Sequence, residues 1–580
     1  MNQRLVALIL RPLGQIKQSE APTAFLMFIY SFMIMAAYTV IKPITRSKYI
    51  ESLGPDNLPY VLLITGILIG FIMSAYGWLI ARLPHRWCLA ITQGGIAGIL
   101  LVFWFLFRSD QAWVSAAFYL FGSILAVLLI SQFWTLANLI FDPRQAKRLF
   151  GFIGGGSSLG GILGSFLAVK FAERLGTANL LLFSTGFMVL SIVTVSSVVR
   201  REGIGEEMQR AVASVEKGVG VKESILLLRK SKHLRLIALV ISFAAIGASI
   251  IDWQISKAAT VAKGQQATDA ITVFLAYVQI WTSTIGFLIQ IFLTSRIHRY
   301  LGIGFALLML PIGLGSTAIV ILLNAALWSP ALARIVDQSL RYTIDKTTRE
   351  VLYMPLSSDV KFAAKPFIDV TVDRFAKGVA AVLLLFLIKP WGLELSWQRL
   401  SFASIIITGI WIFIALRARS EYREAFRNSI DTRLIKPTEV TEAVADLATI
   451  ETLVQELASP DEQRVLYAIE FLESLDKKHL ITPLLLYHES PAVRARVLSV
   501  MSVVQPEVSS KWLPTIRTMM TDPDPNVRSE AVGALARMYN QQVDDLVRPL
   551  LQDKNPRISL TAAMTLAGSG REEARDRTRW

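Results

Sequence analysis

Runs of about 20 mostly apolar residues recur along the first 420 positions of this 580-residue chain, each long enough to cross a hydrocarbon core of about 30 Å as a helix. Inside lipid a backbone has to satisfy its own hydrogen bonds, so such a chain is confined to a bundle of helices. Twelve spans are expected, near 22–42, 58–80, 86–107, 112–138, 149–171, 177–199, 234–257, 269–294, 301–324, 330–354, 364–388 and 399–417. Composition agrees: 53% of residues are hydrophobic and 18% charged, whereas a soluble domain averages about 25% charged. The fold class expected is all-α, a twelve-span transmembrane bundle followed by a C-terminal α-solenoid.

The first apolar run has no small-residue cleavage site after it and reads as a span rather than a removable leader. Basic residues then orient the bundle. Arg4, Arg11 and Lys17 precede span 1, Arg82 and Arg86 follow span 2, and Arg144, Lys147 and Arg148 follow span 4. A dense basic group from Arg200 to Lys232 follows span 6, Arg296 and Arg299 follow span 8, and Arg417 and Arg419 follow span 12. These loops share one side, which the positive-inside rule makes cytoplasmic, with both termini on it. The same loops account for the net charge of +15 without invoking nucleic acid. The single cysteine, Cys88, excludes an intramolecular disulfide and a C-x-x-C metal or redox site.

An internal repeat is visible. "LIARLPHRW" at 79–87 resembles "LTSRIHRY" at 293–300, and "AKRLFGFIGGGSSLGG" at 146–161 can be laid on "AAKPFIDVTVDRFAKG" at 363–378. Two six-span halves in parallel repeat suggest a bundle of major-facilitator type, with a substrate site between the halves near the midplane. The halves are assigned to 1–199 and 234–420, joined by a cytoplasmic linker at 200–233. A second linker, 421–440, leads to a cytoplasmic helical repeat domain at 441–580. Four segments there begin "SPDEQRVLYAIEFL", "SPAVRARVLSVM", "DPNVRSEAVGAL" and "NPRISLTAAMTL", and their prolines Pro460, Pro491, Pro525 and Pro556 are spaced by 31, 34 and 31 residues. A polar cap, a helix-starting Pro and apolar residues at helical spacing, repeated at this period, read as a HEAT-like solenoid. Its charged face is either plain solvation or a docking surface for a protein partner or for the membrane domain.

The spans near 330–354 and 364–388 are charged. Arg334, Asp337, Arg341, Asp345 and Arg349 recur at steps of 3, 4, 4 and 4, and Asp369, Asp373 and Lys377 at steps of 4 with Arg374 beside them. A charge at the centre of a span costs roughly 2.5–3.5 kcal/mol on insertion scales. Such stripes must therefore face water or one another, and interhelical ion pairing is the plain alternative to substrate binding. Lys42 and Arg46 at the end of span 1, with Lys48, read either as an external loop that breaks the positive-inside rule or as a cationic wall at the mouth of a cavity; Asp252 and Lys257 on span 7 are candidate counter-charges. The glycine run "GFIGGGSSLGGILG" at 151–164 lacks the Gly-Lys-Ser/Thr ending of a nucleotide-binding loop. Small residues at that spacing point to close helix packing instead. No ATPase motor, nucleophile–base pair or metal-ligand cluster is visible, so neither an enzyme nor a cofactor is expected.

"YTIDKTTREVLYMPLSSDVKFAAKPFIDVTVDRFAKG" at 342–378 resembles the signature of the ATP/ADP translocases, the nucleotide transporters of intracellular bacteria and plastids. "FWTLANLIFDPRQAKRLFGFIG" at 133–154 and "YTVIKP" at 38–43 are similar to earlier parts of that family, and the solenoid tail to its extended bacterial branch of NTP/NDP exchangers. The resemblance implies counter-exchange of nucleotides by alternating access in a bacterial inner membrane, with phosphates held by basic residues. By position Lys377 matches the family lysine of span 11 and Asp252 its span-7 acid. Leu139 stands where the family has an acid, Thr45 lies near its span-1 lysine with Arg46 adjacent, and Lys42 replaces an arginine. Another phosphorylated or organic anion, or a lipid, therefore stays open as substrate, as does a membrane scaffold that only recruits a partner. The candidate substrate-binding set is Lys42, Arg46, Asp252, Lys257, Arg341, Arg349, Lys365, Asp369, Arg374 and Lys377.

Overall fold

The computed structural model describes residues 20–68, 82, 87–109, 111–141, 143–203, 221–431, 447–475, 477–501, 513–539, 547–553 and 555–568. Most of 79–87, much of the linker at 200–233 and the stretch 432–446 fall outside the described residues. The chain divides into two compact units. The first takes the chain up to Thr294 with Gly304–Glu350 and Ser358–Arg419; the second takes Ser295–Ile303, Val351–Ser357 and the chain from Ser420 onward.

The described elements of both units are helical, as the apolar periodicity requires. In chain order they are α1 (Ala21–Leu53), α2 (58–68), α3 (Cys88–Leu106), α4 (Ala112–Ile140), α5 (Pro143–Leu175) and α6 (Leu180–Glu202). Then come α7 (Lys232–Lys263), α8 (Thr268–Leu288), α9 (Gly302–Leu323), α10 (Trp328–Leu340), α11 (Asp373–Ile388) and α12 (Leu400–Asp431). Among the described residues nine helices are long and apolar enough to cross a membrane. The expected second span is described only over 58–68. The tenth and eleventh are helical, but their charges keep them out of the apolar set.

Those two charged spans are not continuous α-helices. α10 passes into a π-helical segment, Arg341–Asp345, before Lys346–Leu352. α11 is preceded by Ser358–Pro366 and a second π segment, Phe367–Val372. A π turn closes i→i+5 and takes an extra residue, so the i, i+4 stripe expected from Arg334 to Arg349 does not continue in strict register. π segments inside α-helices are frequent at functional sites.

The glycine run on α5 packs as its spacing implies. A Cβ on Gly156, Gly160 or Gly164 would run into the carbonyl oxygens of Phe28, Phe32 and Ala36 on α1. One residue type every four positions thus lets the two backbones touch. α1 also packs on α4, α6 and α8, and α7 packs on α10 and α11. A core of Tyr30, Phe118, Phe133, Leu136 and Met188 fills the space among α1, α4 and α6. A second core, around Trp253, Leu314, Leu384 and Trp411, joins α7, α9, α11 and α12. Large apolar side chains point outward, among them Phe105, Val193, Ile406 and Phe413, as a lipid-facing surface demands.

The second unit stacks short helices: α13 (Leu447–Glu456), α14 (Glu462–Ser474), α15 (Pro491–Met501), α16 (Leu513–Thr518), α17 (Pro525–Tyr539) and α18 (Pro556–Gly568). Pro491, Pro525 and Pro556 open their helices as the repeat predicts. Pro460 does not: Asp461 caps α14 by accepting from the Gln463 amide at 2.9 Å, so that helix starts two residues later. α15 packs on α17, and α17 on α18. Arg494 joins successive repeats with two bonds to Asp522, at 2.9 and 3.0 Å, and donates to the carbonyls of His488 and Glu489. One repeat on, Arg528 repeats the carbonyl part of that pattern onto Asp522 and Pro523.

Candidate functional site

A cavity of about 460 Å³ opens within the first unit, a size ordinary for a small-molecule site. Tyr38, Lys42 and Arg46 enter it from α1, Tyr119 and Ser123 from α4, Asp252 from α7 and Gln279 from α8. Arg334 and Gln338 come from α10, Tyr342 and Asp369 from the two π segments, and Asp373, Arg374 and Lys377 from α11. Helices distant in sequence thus converge their polar positions on one space while their other faces pack or meet lipid.

Asp252 is the hub of the charges. Its Oδ1 lies 3.0 Å from Arg46 Nη2 and is also in close ion-pair contact with Arg334. One carboxylate therefore ties α1 to α7 and α10. Arg334 also approaches Asp337 at 3.8 Å. Lys42 is held differently: its Nζ donates to Gln279 Oε1 at 2.7 Å and to Gln338 Oε1 at 3.0 Å. Among the described residues no carboxylate lies within ion-pair distance of it. Lys377 pairs with Asp373 at 2.7 Å one turn back, with its side chain 47% exposed toward the cavity. Among the described residues the lining holds five cations (Lys42, Arg46, Arg334, Arg374 and Lys377) and three carboxylates (Asp252, Asp369 and Asp373), a formal excess of two positive charges.

Of the candidate set, Lys42, Arg46, Asp252, Asp369, Arg374 and Lys377 meet in this cavity. Four do not line it. Arg341 is buried, bonds Asp337 through Nε at 3.2 Å and through Nη2, and donates to the Ala244 carbonyl at 2.8 Å, which braces α10 on α7. Arg349 pairs with Asp345 at 3.0 Å, Lys365 with Glu350, and Lys257 with Asp56 at 2.5 Å. Lys365 and Lys257 thus pair between elements, as the ion-pairing alternative has it, whereas Arg341 and Arg349 pair with acids one turn back on their own span. Sequence reasoning placed Arg334 on the charged stripe without counting it among the binding candidates. It passed over Gln279 and Gln338 altogether. Gln279 carries a signal, an amide in an otherwise apolar span that has to find a partner when buried; Gln338 stands beside Asp337 on the charged span, whose ionised residues overshadow it.

Comparison with known proteins agrees with the sequence resemblance. Residues 320–422 match the family described as TLC ATP/ADP transporter, and residues 513–577 match HEAT repeats. ADP,ATP carrier protein 4 of Rickettsia felis is 25% identical over 434 residues, covering 66% of this chain and 81% of its own. ADP,ATP carrier protein 1 of Chlamydia pneumoniae is 24% identical, covering 51% of this chain and 63% of its own. Among solved structures, the nucleoside transporter NupG aligns over 69% of this chain and 99% of its own, with 12% identity and a TM-score of 0.49. The chain is thus similar to the TLC ATP/ADP transporters over residues 320–422 and to HEAT repeats in its C-terminal region, and its described residues include nine helices long and apolar enough to cross a membrane.

Proposed function

We propose that this chain exchanges nucleotides across a bacterial inner membrane by alternating access, binding their phosphates in the cationic cavity. The observation that carries the reading is the cavity's positive excess, with an ammonium group, Lys42, hydrogen-bonded only to neutral amide oxygens among the described residues. Intramembrane cations that are not cancelled by acids are costly and are kept for a ligand or an ion path. Phosphate oxygens accept charge-assisted hydrogen bonds from ammonium and guanidinium groups. Arg46 and Arg334 share the Asp252 carboxylate. An entering phosphate competes with that carboxylate for the same donors, loosening the tie from α1 to α7 and α10. Such a tie favours exchange over one-way leak, since the empty carrier stays clamped.

Purified protein in liposomes should take up labelled ATP or ADP when preloaded with nucleotide. Uptake of a different organic anion, with nucleotides inert, would replace the substrate and keep the cavity. The termini and the solenoid belong on the cytoplasmic side in this reading, the solenoid offering a protein partner its exposed face. A cysteine introduced at the exposed Lys230, with Cys88→Ser, should then resist an impermeant reagent added outside cells.

A further inference from the structure

Lys42 is a cavity cation held by neutral amides rather than by a carboxylate among the described residues. Gln279 on α8 and Gln338 on α10 both present carbonyl oxygens to its Nζ. Gln279 spends its amide nitrogen on Ser283 Oγ at 3.3 Å, which turns its oxygen toward the ammonium. Reversing either amide would bring an N–H donor against a group that can only donate. Gln338 is itself buried. The two amides fix the ammonium from two helices other than its own, yet contribute no charge.

We infer that Gln279 and Gln338 are positioning residues that hold the Lys42 ammonium in the cavity uncancelled, and thereby set how strongly the cavity selects highly charged anions. The inference rests on the anion-exchange reading above. A glutamate at either position would make the same hydrogen bond in nearly the same shape while neutralising the cation. A glutamine kept only for structure would therefore be replaced well by glutamate and badly by leucine. A glutamine kept to leave the charge available would be replaced badly by glutamate and better by leucine.

The test compares Gln279→Glu, Gln279→Leu, Gln338→Glu and Gln338→Leu in purified full-length protein. Binding of ATP, ADP and inorganic pyrophosphate is measured, with folding checked by thermal unfolding. The expected result is affinity lower by about ten-fold or more in each Glu variant, as one lost charge-assisted contact implies. The loss should be largest for ATP and pyrophosphate, and each Leu variant should bind better than its Glu counterpart. Wild-type binding with Glu variants equal to wild type, or with Leu worse than Glu at both positions, overturns the inference and leaves the exchange reading standing. Unfolding of both Glu variants while the Leu variants fold overturns it too. An unmodified protein that binds none of the three anions overturns both.

Discussion

The two units use buried arginine–aspartate pairs in opposite ways. In the solenoid, Arg494 and Asp522 are 28 residues apart and lie on consecutive repeats, and their two parallel bonds are reinforced by turn carbonyls. In the bundle, Arg46 and Asp252 are more than 200 positions apart in sequence, and the aspartate is divided between two arginines. A pair between neighbouring repeats can be satisfied completely, because the next repeat always arrives at the same place. A carboxylate shared by two guanidinium groups at a cavity wall leaves both of them donors to spare. The first arrangement is mortar; the second can be taken apart by a competing anion.

The largest effect should come from breaking the shared carboxylate. Asp252→Ala leaves Arg46 and Arg334 facing each other without their acid, and removing one partner of a buried ion pair costs about 3–5 kcal/mol. Lower yield of folded protein and loss of exchange are expected in detergent and in liposomes. A variant with wild-type stability and exchange would show that the pair holds nothing together. Next is Arg494→Ala, which removes charge-assisted bonds worth about 1.5–3 kcal/mol each. It should destabilise the solenoid and leave anion affinity in the bundle unchanged; a matching loss of anion binding would erase the contrast between the two units.

A pH series sharpens the same contrast. Burial pushes the Asp522 carboxyl up, but hydrogen bonds from Arg494 and from the Asp524 amide outweigh it and hold the group below the usual aspartate range. Its folded pKa is thus depressed. Its contribution is complete above the unfolded aspartate value of about 3.9 and is lost as pH falls through the lower folded value. Acid unfolding monitored on the solenoid should shift to higher pH in Arg494→Ala; an unchanged acid transition would contradict the pairing. The smallest effect is expected at Lys377, a half-exposed helix pair of the kind worth about 0.3–0.5 kcal/mol to folding. Lys377→Ala should fold normally and lose anion affinity by up to about ten-fold. Unchanged affinity would return Lys377 to ion pairing with Asp373 alone.

Much of this was legible in the sequence. Apolar runs of membrane length, proline-headed repeats at regular spacing and glycines every fourth residue each state a local geometry that tertiary structure has no reason to override. The charged stretch announced a functional region for an energetic reason, the cost of charge in lipid. Which charges face the cavity was less readable. The π segments at Arg341–Asp345 and Phe367–Val372 break the helical register assumed from the spacing. Arg341 and Arg349 pair with Asp337 and Asp345 four residues back, as the spacing allows, but the partners of Lys365 and Lys257 are fixed by helix docking or loop geometry that one-dimensional spacing does not carry. Gln279 escaped notice because an uncharged amide raises no alarm in an apolar run, and Gln338 because it stands among the charges of its span, although buried amides are as bound to find partners as charges are.

The central claim is that the cavity carries anions in exchange, and trans-stimulation tests it most directly. Liposomes holding the purified protein are loaded with labelled ADP, and its efflux is followed with and without unlabelled ATP outside. The account predicts slow efflux into plain buffer and a marked acceleration when ATP is added, abolished in Asp252→Ala. Efflux equally fast with and without external nucleotide, or no protein-dependent efflux of any nucleotide, would contradict it.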